Sequence, residues 1–183
     1  PPKFTDDEIA RLSSPDFKQV NWDDYLLGNA LQTDYNISIS GGGENNDYYL
    51  SIGYLKQEGI MLNTSYERFN VQLNQNVRIN DRFKLGLKLG YIPSTITAPT
   101  GNQLSSTLTN VAALPNTDDE LKTSDGHWLG RADGGGNSIA QASEDGGQTL
   151  IKGARLAGNI TLDYNITPHL KFTGNYGIVR NQS

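Results

Sequence analysis

The chain of 183 residues contains no cysteine. That excludes a disulfide framework and any metal site built on thiolates. No run approaches the roughly 18 consecutive apolar residues of a membrane-crossing helix. The opening, PPKFTDDEIARLSS, has no apolar core of the kind a secretory signal carries, so it reads as mature or internal sequence. Basic residues are few: 15 Lys and Arg stand against 20 Asp and Glu, for a net charge of -5. No basic stripe is visible, and a nucleic-acid partner, which wants a basic surface, is not expected. Hydrophobic content is 36%, low for a soluble globule.

What is present is alternation. From Tyr66 to Pro93 one set of alternate residues is Phe69, Val71, Leu73, Val77, Ile79, then Phe83, Leu85, Leu87, Leu89 and Tyr91. The intervening set is Arg68, Asn70, Gln72, Asn74, Asn76, Arg78, then Lys84, Gly86, Lys88 and Gly90. Period two means strands with one oily and one polar face. The pattern predicts an all-β architecture of about six antiparallel strands. Residues 1–34 read as irregular or partly helical, with Thr5 as N-cap of TDDEIARL and a second short helical stretch in NWDDYLLGNA. Residues 35–92 read as four strands. Residues 93–150 read as a long loop with one short helix, NQLSSTLTNVAAL at 102–114. Residues 151–183 read as two more strands.

The connections alternate short, long, short, long, short: turns near 41–47, 80–82 and 167–169, longer stretches at 56–65 and 93–150. An up-and-down meander would gather the short turns at one end and the long loops at the other, as in outer-membrane barrels. Strands of about ten residues suit a tilted membrane strand. Tyr35, Tyr48, Tyr54, Phe69, Phe83, Tyr91, Tyr164, Phe172 and Tyr176 fall on the oily face, many near strand ends, as an aromatic girdle would. A soluble β-sandwich also alternates. Against it stand a polar face dominated by Asn, Gln, Ser, Thr and Gly, and a connection too long for most compact domains.

The stretch NISISGGGENNDYYLSIGYLKQEGIMLNTSYERFNVQLNQNVRINDRFKLGLKLGY, residues 36–91, resembles the SusC/RagA family of TonB-dependent outer-membrane transporters of Bacteroidetes. The segment DEIARL…NWDDYLLGNALQTDYN and the later ITPHLKFTGNYG resemble that family too; the likeness is weakest over 93–150. The resemblance implies a plugged transmembrane barrel of about 22 strands. It further implies import of large nutrients, oligosaccharides or peptides, with a SusD-like surface lipoprotein and the TonB complex as partners. No plug or TonB-box region is visible here, and six strands would leave open edges that lipid does not tolerate. The chain is therefore expected to be a segment of such a transporter. A passive porin-like barrel and a soluble β-rich glycan-binding module, with Trp22 and Trp128 as its stacking residues, are the alternatives.

No residues form a positioned nucleophile, so no catalytic site and no enzyme are expected. Neither a cofactor nor a metal is expected: His127 with Asp125 and Asp133 does not have calcium-loop spacing. The loop segment DGHWLGRADGGGN offers His127, Trp128 and Arg131 as candidate contacts to a substrate or partner, since an indole face stacks on sugars and peptides. An indole packed on its own protein is the plainer alternative. On the polar strand face Arg68, Arg78, Lys84, Lys88, Arg155, Asp163 and Lys171 are expected to face the lumen, where charges need partners such as a plug.

Overall fold

A computed structural model describes residues 4–18, 21–100, 108–109, 121–130 and 136–183. Contacts divide the chain into two compact units. One comprises residues 30–59, 65–97 and 150–183, and the other residues 1–29, 60–64 and 98–149.

The first unit is one six-stranded sheet in the order β1-β2-β3-β4-β5-β6. The strands are β1 (Gln32–Gly42), β2 (Asn46–Glu58), β3 (Ser65–Arg78), β4 (Phe83–Pro99), β5 (Gln148–Thr167) and β6 (Leu170–Gln182). Neighbours in sequence are neighbours in space, so this is a meander. At the β3–β4 turn the Asn80 carboxamide oxygen accepts from the backbone N–H groups of Arg82 (2.9 Å) and Phe83 (3.0 Å). That local bond holds the turn closed. At the β1–β2 hairpin Gly41 lies directly opposite Tyr48, whose ring leans over it. A side chain at 41 would meet the Tyr48 hydroxyl at 2.7 Å.

The strands run further than alternation alone predicts. β4 continues to Pro99 rather than stopping near 92, and β5 begins at Gln148 rather than near 155. The extra residues, STITAP and QTLIKGA, include the β-branched Thr95, Ile96, Thr97, Thr149 and Ile151 but carry no clean oily set. Backbone pairing continues there, Ser65 with Thr97 and Tyr66 with Ile96, after the apolar requirement on one face has ended. Most of the expected helix at 102–114 lies outside the described residues; Leu108 and Thr109 are helical.

Besides the helical pair Leu108 and Thr109, the described residues of the second unit include the short helices α1 (Asp6–Leu12), α2 (Trp22–Leu26) and α3 (Ser138–Ala142). Thr5 caps α1 in a reciprocal capping box with Glu8, and Asn137 caps α3 through Ile139 and Ala140 N–H, both at 3.0 Å. A small core gathers Trp22, Leu26, Met61, Leu121, Ile139 and Ala142, with Trp128 packed against it. Asn63, in the left-handed region at φ 58°, ties the unit together. Its amide donates to the carbonyls of Ser143 and Gly147, both at 3.3 Å, and its oxygen accepts from Gln148 at 2.6 Å.

Candidate functional site

Every buried hydrophobic residue among the described ones (Trp22, Leu26, Met61, Ala98, Leu121, Ile139, Ala142) belongs to the helical unit. The sheet has none. Its apolar residues stand in exposed rows instead. Tyr35, Tyr54 and Phe69 share one row; Ile37, Ile52, Val71 and Tyr91 the next; Ile39, Leu50, Leu73 and Leu89 the third. Ile37 is 72% exposed, Tyr176 70% and Tyr35 66%. Tyr54 stacks obliquely on Phe69 at 4.7 Å, and Phe83 lies flat on Tyr164 at 4.3 Å. So large a contiguous oily face is not a soluble surface.

The geometry of that face matches a bilayer. Close approaches of Arg82 to Asn165, Gly86 to Thr161, Leu89 to Gly158 and Ser94 to Gly153 set β5 beside β4 in one constant register. From Phe69 on β3 to Ile79 just past its end the band runs about 34 Å at roughly 3.4 Å per residue. Tilted by about 40°, that is about 26 Å of height, close to the apolar band of an outer-membrane barrel. The tilt can be read independently. Between β1 (Tyr35 to Ile39) and β6 (Ile178 to Leu170) the upper edge of the band slips by about four residue positions and the lower edge by about eight. Across five strand spacings of roughly 4.8 Å, those slips correspond to a strand inclination of about 30° to 50°. Membrane barrels tilt their strands by about 35–45°.

The opposite face is polar. Register places Arg68 and Arg78 of β3, Lys84 and Lys88 of β4, Arg155 and Asp163 of β5 and Lys171 of β6 all on it. Asp163 is the centre of one cluster: it accepts from Thr173 Oγ1 at 2.8 Å and pairs with Lys171 Nζ at 2.9 Å. Thr161 donates to Asn175 at 2.7 Å, and Asn76 donates to Asp47 at 2.8 Å. Arg78 lies directly opposite Lys84, so cations crowd the lower end. The Arg68 Nε is buried and makes no hydrogen bond among the described residues. Six cations here (the five named with Lys171) face three acids, Asp34, Asp47 and Asp163, in a chain whose net charge is -5.

The loop residues behave differently. Lys122 and Trp128 bridge as a short antiparallel pair around a turn in which Thr123 bonds His127 backbone groups and the Asp125 carboxylate. The Trp128 indole N–H donates to Asp145 at 2.8 Å, and the Lys122 ammonium sits 4.0 Å above its ring. One ring face and the N–H are thus already engaged within the unit. His127 projects outward, 82% exposed, 3.5 Å from Asp125. Arg131 and Asp133 lie outside the described residues. No group of three or more metal-ligating side chains occurs among the described residues. Outside the strands the Glu8 carboxyl is held below its ordinary range, chiefly by the Thr5 backbone N–H and then by the Thr5 hydroxyl.

No protein-family model matches the chain. Among curated proteins it is 37% identical over 71 residues to TonB-dependent receptor P26 of Formosa agariphila, covering 39% of this chain and 7% of that protein. It is 34% identical over 55 residues to TonB-dependent receptor SusC of Bacteroides thetaiotaomicron, covering 30% and 6%. Among solved structures it matches the RagAB peptide importer in its closed-closed state with a TM-score of 0.68 at 19% identity, over 90% of this chain and 19% of that one. A second RagAB structure gives a TM-score of 0.67. The fold is thus part of a transmembrane β-barrel. Over part of its length the chain is similar in sequence to TonB-dependent receptors of the outer membrane, SusC among them, and it aligns with less than a tenth of the length of these curated relatives.

Proposed function

We propose that this chain forms part of the wall of an outer-membrane importer of large nutrients, oligosaccharides or peptides. One observation carries the reading: the sheet has no buried core, and its oily residues form a tilted, exposed band of bilayer height. The oily face meets lipid. The polar face, with Arg68, Arg78, Lys84, Lys88, Arg155 and Asp163, lines the lumen. There the Arg68 guanidinium, whose Nε makes no hydrogen bond among the described residues, and the excess of cations are suited to carboxylates of a plug or cargo. The edges of β1 and β6 pair with further strands, because unpaired backbone is not tolerated in lipid. Residues 1–34 lead into the barrel, and the 93–150 region lies at the extracellular end, where barrels carry their long loops. There His127, with Trp128 and Arg131 beside it in sequence, contacts cargo or a SusD-like lipoprotein. Energy arrives through TonB, and no covalent chemistry is performed.

The test is uptake by cells that carry the full-length transporter gene, with and without a working TonB. An importer loses uptake of large oligosaccharide or peptide when TonB is inactivated and co-purifies with a surface lipoprotein. TonB-independent entry would replace this reading with a passive barrel.

A further inference from the structure

Two cations stand on the oily face itself, at one end of it. Lys152 of β5 and Arg180 of β6 share the face of Leu156, Ile160, Tyr176 and Ile178. Arg180 lies directly opposite Leu156, and Lys152 lies beyond Leu156 toward the long-connection end of β5. Measured along the strand, Arg180 is one same-face position above Ile178, the last oily residue of β6, and Lys152 is two above Leu156. Because the band slips diagonally across the sheet, both ammonium and guanidinium stand roughly 5–10 Å above its upper edge. Both side chains are exposed, and neither has an ion-pair partner among the described residues. The third cation near this edge, Lys56, is already matched: it is 3.9 Å from Glu58 and directly opposite Glu67.

Beside Lys152 the surface is hollow. An open groove of about 440 Å³ runs between β4 and β5, lined on this face by Tyr91, Pro93, Thr95, Lys152, Ala154 and Gln182. Its lower part is lined by Tyr91, Pro93 and Ala154, Lys152 stands at its upper end, and Arg180 stands just outside it on the neighbouring β6. That is the layout for a molecule with an acyl body and an anionic head.

We propose that this groove, with Lys152 and Arg180, holds a phosphate-bearing lipid of the outer leaflet. The acyl chains lie along Tyr91 and Leu156, the anionic head rests over Pro93 and Ala154, and the long, flexible cations reach the phosphate. The proposal rests on the barrel reading and not on what the barrel carries. A juxtamembrane cation gains about 1 kcal/mol from an anionic surface, about fivefold in affinity.

The experiment is native mass spectrometry of the full-length transporter, extracted from outer membranes and titrated with diphosphorylated lipid A or its dephosphorylated counterpart. The wild type should retain the phosphorylated lipid over the dephosphorylated one. Lys152→Ala and Arg180→Ala should each weaken that retention about fivefold, and leave the dephosphorylated lipid unaffected. Equal retention of the two lipids by the wild type, or wild-type retention by the double variant, overturns the proposal. So does displacement by millimolar inorganic phosphate, which would make the ligand a free anion. Heat-modifiable gel mobility is read on every sample. Its loss from one variant marks misfolding of that variant and leaves the wild-type lipid comparison to decide. Its absence from the wild type would overturn the barrel reading and the lipid site together, whereas equal lipid retention by an intact barrel removes the lipid site alone.

Discussion

Leu87 is the residue at which the membrane assignment is most exposed to refutation. It sits at the middle of the oily set of β4, four positions from Phe83 and four from Tyr91, and faces Gln75 across β3. Four positions are about 14 Å along the strand, or roughly 10 Å of depth at a tilt near 40°, so Leu87 lies near the bilayer midplane. Arginine there costs about 2–4 kcal/mol. That is a drop of roughly 30- to 900-fold in the folding equilibrium. Lys88→Arg, one residue along, points to the polar face and keeps its charge, so it should cost less than about 0.5 kcal/mol. Thr95→Arg is on the oily side but beyond the band and should cost about 0–1 kcal/mol. The assay is urea-titrated folding of the full-length barrel into lipid vesicles, followed by heat-modifiable mobility. The ordering Leu87 far above Thr95, with Lys88 near zero, is the expectation. Equal costs for Leu87→Arg and Lys88→Arg would refute the facing of the strands.

Gly41→Val should push the Tyr48 ring aside; because that ring is 43% exposed and free to swing, the cost is about 1 kcal/mol in the same titration. Leu26→Ala, at a position 1% exposed in the helical unit, should destabilise that unit by about 2–5 kcal/mol. Limited proteolysis would show faster cutting there while the barrel keeps its mobility, and unchanged cutting would count against the core. At α1 the depressed Glu8 carboxyl implies a pH dependence with a definite sign. Its folded value lies below its unfolded one, so its stabilisation is present above the ordinary Glu range and disappears as pH falls through the folded value. Amide chemical shifts of Thr5 and Glu8 should report the capping box opening in acid, and Glu8→Ala should show no such transition.

Strand positions were legible wherever the bilayer forces a choice of face. The stretch from Tyr66 to Ile79 reads as a strand by alternation and forms β3 over Ser65–Arg78. The polar set was legible for the same reason: Arg68, Arg78, Lys84, Lys88, Arg155 and Asp163 are simply the alternate residues. The strands are not legible where they run past the oily band, at 93–99 and from 148, since water on both faces imposes no period. Nor do Lys152 and Arg180 stand out in the pattern. The available signal was a cation at an oily position near a strand end, a break in the pattern and therefore easy to take for noise.

Sequence alone determined which side of each strand is oily, because side chains alternate strictly and lipid rewards one face uniformly along its height. The tertiary structure decided what depends on relations between strands and between loop segments far apart in the chain. It set the register that makes the band slip diagonally and tilts the strands. It opened the groove between β4 and β5. It turned Trp128 from a free stacking surface into a ring already engaged by Lys122 and Asp145. Such pairings are set by backbone hydrogen bonds and packing across long sequence separations, and no local period encodes them.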